Sequence, residues 1–163
     1  MKKIYIIEGP DGTRKSTLAN EIAEQKKASI LHCSFDKSWD IKQHHIDMFK
    51  AAKLIGQWMP VVLDRWSYSE LVYGTVFRDK PSYDVKDFLF ENEHDLLNAI
   101  WIYCRNDKAA ENHKKNMQLR EEMYDDMSEV AKTFDEFVRS ETDINWIEYD
   151  YAKVNMKEFV KEL

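Results

Sequence analysis

The sequence contains little cysteine, glycine or proline. Its 163 residues include two cysteines, four glycines and three prolines. Two widely separated cysteines do not make a zinc site. Both lie in apolar, strand-like runs, so Cys33 and Cys104 are predicted to be buried reduced thiols rather than a disulfide. No stretch approaches the roughly 18 apolar residues of a membrane-spanning helix, so we expect no membrane association.

Positive charge is also in short supply. Lysine and arginine together number 24 against 30 acidic residues, which gives a net charge of −6. An acidic chain is poorly suited to non-specific binding of nucleic acid polymers, which relies on basic surface. A local basic pocket for a small phosphorylated ligand remains compatible with this balance. The length predicts one domain over 1–163, and a strand-like run directly after Met1-Lys2-Lys3 predicts no export signal and a cytoplasmic location.

Two of the four glycines fall in one short segment. Residues 8–17 read Glu-Gly-Pro-Asp-Gly-Thr-Arg-Lys-Ser-Thr. This is close to the phosphate-binding pattern G-x-x-x-x-G-K-[ST], which Gly9, Lys15 and Ser16 match. Arg14 stands where the second glycine belongs. Because glycine is scarce elsewhere, its clustering here indicates special backbone requirements.

The surrounding pattern predicts an α/β fold. Short apolar runs alternate with amphipathic stretches, and five strands are expected over 4–7, 29–33, 61–64, 99–104 and 145–149. Helices are expected over 40–58, 67–77 and 84–98, and 107–139 reads as two helices or one broken helix. Such alternation predicts a parallel sheet covered on both faces. The loop after strand one and Asp64 after strand three would then share one edge of the sheet.

In this context the segment 9–17 has a chemical interpretation. Backbone N–H groups of the loop and the helix N-terminus attract phosphate oxygens. Lys15 would reach the terminal phosphates of a nucleotide, the Ser16 hydroxyl would hold Mg²⁺, and Thr17 would assist at the helix start. The alternative is a strand–turn–helix that contains Lys-Ser-Thr by chance.

Arg14 leaves three alternatives open. The loop is distorted and phosphate affinity is lost, the guanidinium fills the phosphate site as a built-in cation, or the side chain swings outward from a weakened but working site. We favour impaired activity, because glycine tolerates backbone angles that arginine does not.

A second motif follows about 50 residues later. Val61-Val62-Leu63-Asp64 is an apolar strand that ends in an acid, the form that positions Mg²⁺ in phosphoryl transfer. The alternative role for Asp64 is to cap the next helix. Arg65 follows at once, and its planar guanidinium suits bidentate binding of phosphate.

Together the two motifs resemble those of thymidylate kinases within the P-loop nucleoside and nucleotide kinases. Residues 8–17 are similar to E-G-x-D-G-x-G-K-S-T, and residues 64–73, with Asp64-Arg65-Trp66, Ser69 and Tyr73, are similar to D-R-Y-x-x-S-x-x-A-Y-Q. The resemblance implies a three-layer fold with sheet order 2-3-1-4-5. Gly74 replaces the family glutamine and Trp66 its tyrosine, which puts thymine specificity in question.

The resemblance also implies roles for individual residues. The ATP-binding set would be Gly9, Asp11, Gly12, Thr13, Arg14, Lys15, Ser16, Thr17 and Arg105. The acceptor set would be Asp11, Arg65, Trp66, Ser69, Tyr73 and Arg78. Lys15, Asp64 and Arg65 would be catalytic, with Mg²⁺ held by Ser16 and Asp64. Arg78 would be a second acceptor-phosphate cation, or else a solvated arginine at a helix end.

A basic lid is expected within 105–122. Lys114, Lys115 and Arg120 are its candidate cations, because a lid supplies charge to the transferred phosphoryl group. The interleaved acids Glu111, Glu121 and Glu122 favour the alternative of a solvated helix face.

The predicted activity is transfer of the ATP γ-phosphoryl group to a (deoxy)nucleoside monophosphate, with a dTMP-like acceptor. The alternatives are a deoxynucleoside kinase and a degenerate kinase that binds nucleotide or a partner protein without catalysis. The run Asp64-Arg65-Trp66, followed by Ser69-Glu70-x-x-Tyr73-Gly74, also resembles phage-encoded nucleotide kinases, which would place the protein in the host cytoplasm. Since related kinases are often dimers, the resemblance is also compatible with a homodimer.

Overall fold

Five parallel strands form the centre of the molecule. A computed structural model describes residues 3–36, 38–96, 98–117, 127–141 and 143–163. The strands are β1 (Ile4–Glu8), β2 (Ser29–His32), β3 (Val61–Asp64), β4 (Ile100–Cys104) and β5 (Trp146–Tyr149). They lie in the order β2-β3-β1-β4-β5, and every neighbouring pair is parallel. The predicted order is confirmed.

Helices connect the strands and cover both faces of the sheet. They are α1 (Lys15–Lys26), α2 (Ile41–Ile55), α3 (Ser67–Arg78), α4 (Val85–Glu91), α5 (Glu93–Leu96), α6 (Ala109–Met117), α7 (Ser128–Ser140) and α8 (Met156–Glu162). The predicted helix over 84–98 is interrupted at Asn92. Its side-chain amide donates to the Phe88 carbonyl at 2.7 Å and competes with regular helical bonding there.

The central strand is buried on both sides, as a parallel sheet requires. All five residues of β1 are buried. Ile4 and Ile6 belong to a core rich in aromatic rings, together with Trp66, Trp101 and Phe134. Tyr5 and Ile7 belong to a second core with Leu18 and Val160. Since alternate residues of a strand point to opposite faces, these two cores lie on the two faces of the sheet.

The chain changes direction across the sheet next to β1. It runs from β1 to β2 and β3 on one side, and then passes to β4 and β5 on the other. Ligands of such sheets bind in the crevice outside the carboxyl ends of the strands at this switch point. The register places Asp64 beside Ile7 on one side and His32 on the other. The fold thus gathers the ends of three strands at one edge.

Both cysteine thiols are buried and free, as predicted. Within the described ranges, no helix has the length and apolar character needed to cross a membrane.

Candidate active site

The loop between β1 and α1 has glycine at two positions where the backbone requires it. Gly9 has φ +140°, and a Cβ there would lie 2.1 Å from the Cys104 carbonyl oxygen. Gly12 has φ +82°, and its Cβ would lie 2.3 Å from the Ala109 carbonyl oxygen. Both positions combine a positive φ with a close backbone approach, so any side chain would be strained and would clash. The clustering of glycine in this loop therefore reflects requirements of its backbone conformation and packing.

Arg14 occupies a left-handed position that favours glycine. Its backbone has φ 61° and ψ 31°, directly before the first residue of α1. The exposed side chain lies over the ring of Tyr151, with its guanidinium carbon 4.4 Å from the ring centroid. The loop therefore forms with arginine at this position, and the guanidinium rests on Tyr151. Its effect on activity stays a prediction.

Lys15 turns back onto its own loop. Its ammonium group donates to the Pro10 carbonyl at 2.6 Å and lies 3.6 Å from the Asp11 carboxylate. The Thr13 hydroxyl donates to the same carbonyl at 2.8 Å. Burial and the nearby Arg65 charge lower the pKa of Lys15, although Asp11 acts in the opposite sense. The lysine is therefore held at the loop, beside the space that the loop surrounds.

Asp64 connects β3 to the phosphate loop. Its Oδ2 accepts from the Ser16 hydroxyl at 2.9 Å and lies 3.0 Å from His32 Nδ1. Its buried Oδ1 has no hydrogen-bond partner in the described part of the chain. Burial acts to raise the pKa of Asp64, but the bonds from His32 and Ser16 and the adjacent charges outweigh it and lower the pKa. The carboxylate therefore stays ionised, and one of its oxygens is not used in hydrogen bonds among the described residues.

Arg65 makes the turn from β3 into α3. Its backbone has φ 66°, and its N–H donates to the Ile7 carbonyl at 3.0 Å. The guanidinium forms an ion pair with Asp11 and lies 5.9 Å from the ring centroid of Tyr73. Burial acts to raise the pKa of Asp11, but the Lys15 and Arg65 charges lower it overall. Two cations thus share one carboxylate at the mouth of the loop.

Glu8 at the end of β1 caps α3 from a different element. One carboxylate oxygen accepts the backbone N–H groups of Trp66 and Tyr68, each at 3.0 Å, and the other accepts the Ser69 hydroxyl at 2.6 Å. Glu8 is fully buried, and burial raises its pKa to about 7 although these bonds and Lys15 act to lower it. This contact fixes the start of α3, and with it Arg65, against the phosphate loop.

Two cavities of similar size meet at this edge of the sheet. The first has a volume of about 330 Å³ and is bordered by β2, α2 and α3. The second has a volume of about 340 Å³ and is bordered by the phosphate loop, α6 and Tyr151. Asp11 and Arg65 line both. Their ion pair therefore stands in the wall between the two cavities.

All six predicted acceptor residues line the first cavity: Asp11, Arg65, Trp66, Ser69, Tyr73 and Arg78. Trp66 contributes from the core, since it is fully buried and its ring nitrogen donates to the His45 carbonyl at 3.0 Å. Arg78 donates to both carboxylate oxygens of Glu70 at 2.6 Å and lies over Phe35. It therefore lies in the cavity wall, held by its own helix.

The predicted donor residues are divided. Those that line the second cavity are Asp11, Gly12, Arg14, Lys15, Ser16, Thr17 and, from the predicted lid, Lys115. Gly9 and Thr13 do not line it: Gly9 packs closely against the Cys104 backbone, and the Thr13 hydroxyl donates to the Pro10 carbonyl. Lys114 is exposed and does not line this cavity. Arg105 does not line it either, and instead lies within 3.8 Å of three acids, Asp107, Asp135 and Glu148. Arg120 lies outside the described residues.

Sequence reasoning missed several residues at the site. Asn112 and Tyr151 line the second cavity and are joined by a short hydrogen bond. His32 bonds to Asp64 and lines the first cavity. The available signal was positional, because His32 ends the strand next to β3 in register with Asp64. No comparable signal marks Asn112 or Tyr151.

Comparison with known proteins supports the fold. No protein family model matches the chain. It is 24% identical over 164 residues to the SPbeta prophage-derived uncharacterized protein YorR of Bacillus subtilis (strain 168), covering 98% of this chain and 96% of YorR. The crystal structure of YorR in complex with phosphorylated GDP superposes with a TM-score of 0.74 at 23% identity, over 98% and 92% of the two chains.

Two further structures are of deoxyadenosine kinase from M. mycoides. The form with bound dATP gives a TM-score of 0.62 at 17% identity, over 99% of this chain and 96% of that one. The form with the products dCMP and a flexible dCDP gives 0.60 at 16% identity, over 98% and 95%. The chain therefore has a P-loop kinase fold. A similarity to thymidylate kinases in particular rests on the sequence motifs alone.

Proposed function

We propose that this protein transfers the γ-phosphoryl group of ATP to a (deoxy)nucleoside monophosphate. The observation that carries the proposal is the position of Arg65 in the wall between the two cavities. A cation there can contact the donor's terminal phosphate and the acceptor's phosphate together. Phosphoryl transfer depends mainly on such positioning and charge stabilisation.

The second cavity suits the donor. Its loop, with two glycines at positive φ, precedes α1 directly, and a helix N-terminus preceded by such a loop binds phosphate. Lys15 needs only to exchange the Pro10 carbonyl for a phosphate oxygen. In the reaction the bond between the γ-phosphorus and its bridging oxygen breaks, an acceptor phosphate oxygen bonds to that phosphorus, and ADP leaves. No covalent enzyme intermediate is required.

The residues present also fit a magnesium ion. Asp64 is ionised, its buried Oδ1 has no hydrogen-bond partner in the described structure, and the Ser16 hydroxyl donates to its Oδ2. Hard carboxylate and hydroxyl oxygens suit Mg²⁺, which takes its remaining ligands from phosphates and water. Ser16 and Asp64 would hold the ion. When bound, it would neutralise charge on the donor phosphates.

The first cavity suits a nucleotide acceptor. Its volume lies at the small end of ligand sites, and Phe35, Trp66 and Tyr73 provide aromatic surface for a base. Arg65 and Arg78 provide positive charge. A dTMP-like acceptor is supported by the Asp64-Arg65-Trp66 motif and its resemblance to thymidylate kinases. The relatives bind a range of nucleotides, phosphorylated GDP in YorR and dCMP, dCTP and dATP in the deoxyadenosine kinase.

One observation favours a deoxynucleoside kinase as the second candidate. Both arginines of the first cavity already have carboxylate partners, Asp11 for Arg65 and Glu70 for Arg78. These acids offset the positive charge that an acceptor phosphate would need. An uncharged nucleoside needs no such charge, and the acceptor would then be a hydroxyl group.

Side-by-side assays separate the candidates. The protein with ATP and Mg²⁺ is offered a panel of nucleoside monophosphates and the matching nucleosides, and ADP formation is measured. We expect transfer to monophosphates only, with a preference for a dTMP-like acceptor. Transfer to nucleosides alone would establish the second candidate, and nucleotide binding without any transfer would identify a degenerate kinase. The homodimer and the host-cytoplasm location stay predictions from resemblance.

An Arg65→Met variant tests the proposed role of Arg65 in the same assays. The loss of a transition-state cation costs about 100-fold or more in kcat. Arg139→Met, an exposed arginine on α7, is the matched control and should keep full activity. Equal rates in both variants would remove Arg65 from the mechanism.

A further inference from the structure

Arg14 differs from two other cations that line the donor cavity. Lys15 and Arg65 both interact with Asp11. Arg14 has no carboxylate partner in the described part of the chain, although its side chain is exposed and lines the cavity. The guanidinium contacts Tyr151 through its face. Stacking of this kind leaves the N–H groups at the edge of a guanidinium accessible to other ligands.

The ring beneath Arg14 is itself held in place. The Tyr151 hydroxyl bonds to the side-chain amide of Asn112 on α6, and that amide lies 3.4 Å from the Gly12 carbonyl oxygen. The residue before Tyr151 is anchored as well, since Asp150 accepts from Asn106 at 2.8 Å and from the Ala152 N–H at 3.0 Å. Three segments around the cavity thus fix the surface on which Arg14 rests.

The left-handed backbone of Arg14 costs conformational free energy, and arginine is not required there for structure. A residue other than glycine in the left-handed region costs on the order of 1–3 kcal/mol. The side chain forms no cap bond to α1 that would offset this cost. Glycine would avoid this cost, so what arginine adds is a guanidinium stacked on Tyr151 that has no carboxylate partner among the described residues.

We propose that Arg14 is a ligand of the donor phosphates, held in position by Tyr151 and Asn112. It is then an addition to the phosphate loop rather than a defect in it. Its guanidinium offers a phosphate two parallel N–H donors, which Lys15, as a compact charge, does not. This inference rests on the proposed function for the identity of the donor, but it makes a claim about binding alone.

The test is calorimetric binding of ATP with Mg²⁺, ADP with Mg²⁺ and adenosine to the wild type and to two variants. Arg14→Ala removes the guanidinium and keeps a non-glycine residue in the left-handed conformation. Arg14→Gly removes both the guanidinium and the strain. We expect both variants to bind ATP about tenfold more weakly or worse, in the range of a charge-assisted hydrogen bond, with adenosine unchanged.

Lys27→Gly is the matched control. Lys27 is an exposed cation with φ 55° at the opposite end of α1, so the variant relieves the same kind of strain and removes the same charge. It should bind ATP as the wild type does. A Tyr151→Leu variant, which removes the ring surface but not the guanidinium, should show a smaller loss than Arg14→Ala. Melting temperatures report whether each variant folds.

Several outcomes would overturn the proposal. Tighter ATP binding by Arg14→Gly with no change in Arg14→Ala would show that the backbone strain is a defect. Unchanged binding in both would show that the guanidinium does not contact the donor, and so would an equal loss for adenosine. ATP binding that depends on Arg14, combined with no transfer to any acceptor, would support the phosphate ligand and reject the kinase activity.

Discussion

The two cavities at the edge of the sheet are built in different ways. The donor cavity takes six of its lining residues from one loop and the helix start that follows it, 11–17. The acceptor cavity takes its lining from β2 and the loop after it, α2, the turn into α3 and α3 itself, together with Asp11 and Met127. One is therefore specified by a local backbone conformation, and the other by the packing of separate elements. We expect substitutions in the first to act on chemistry, and substitutions in the second to act through stability and acceptor binding.

The largest expected effect is at Lys15. Lys15→Met removes the ammonium group that we propose as a ligand of the terminal phosphates and should lower kcat by about 1,000-fold, in the range measured for single preorganised charges. Lys26→Met on the same helix, whose ammonium donates to the Lys161 carbonyl at 3.3 Å, is the control and should stay active. Steady-state ADP formation with saturating acceptor checks both. A Lys15 variant with near-normal kcat would contradict the assignment of the donor cavity.

The next largest effect is expected at Glu8, which connects the elements that line the two cavities. Its pKa rises from 4.5 unfolded to about 7 folded, chiefly by burial, so the folded state holds this proton more tightly. The group's contribution to stability is fully present below pH 4.5 and is lost as the pH rises to about 7. The loss amounts to about 3 kcal/mol.

A Glu8→Gln variant cannot titrate at this position and keeps an oxygen for the α3 cap. Urea unfolding at pH 5 and pH 8 should therefore show a smaller fall in the free energy of unfolding for the variant than for the wild type. Equal falls in the two proteins would mean that Glu8 does not titrate in this range. Because Glu8 fixes α3 against the loop, transfer activity in the variant also reports how tightly the two cavities are coupled.

A third substitution tests the packing that encloses the acceptor cavity. A Cβ at Gly74 would lie 2.6 Å from the Pro81 Cα, so the glutamine of thymidylate kinases does not fit here. Gly74→Gln should lower the free energy of unfolding by about 2 kcal/mol, as overpacking does, although glycine is otherwise unfavourable in a helix. Thr75→Gln is a neighbouring control. A stable Gly74→Gln protein would show that the turn after α3 yields readily.

The same contrast explains how much could be predicted from sequence. The strand positions and the phosphate loop followed from local patterns, because Gly9, Lys15 and Ser16 lie close together in the chain, whereas the sheet order followed from the family resemblance. The prediction of one helix over 84–98 was wrong, because the break at Asn92 depends on a side chain that competes for backbone hydrogen bonds. Tyr151 and Asn112 were missed, because they approach the loop only through the folded packing of β5 and α6.

Arg105 illustrates the limit of carrying a family role to one residue. It was predicted to bind ATP from its place after β4, but in the structure it lies among Asp107, Asp135 and Glu148. Burial acts to lower its pKa, but these acids raise it overall. Its position after a strand was visible in the sequence, whereas acids contributed by α7 and β5 were not. Its role toward ATP stays a prediction.

The smallest effect is expected at Arg78, where a substitution should change binding of the acceptor but not binding of ATP. Arg78→Lys keeps a positive charge beside the buried Glu70 but loses the planar group that lies over Phe35 and bonds to both carboxylate oxygens. The acceptor KM should rise by about tenfold, roughly 1.4 kcal/mol, with the KM for ATP unchanged. Arg139→Lys should change neither constant. An equal rise in both KM values would show that the two cavities respond as one unit, and an unchanged acceptor KM would make Arg78 a structural partner of Glu70 rather than a contact of the acceptor.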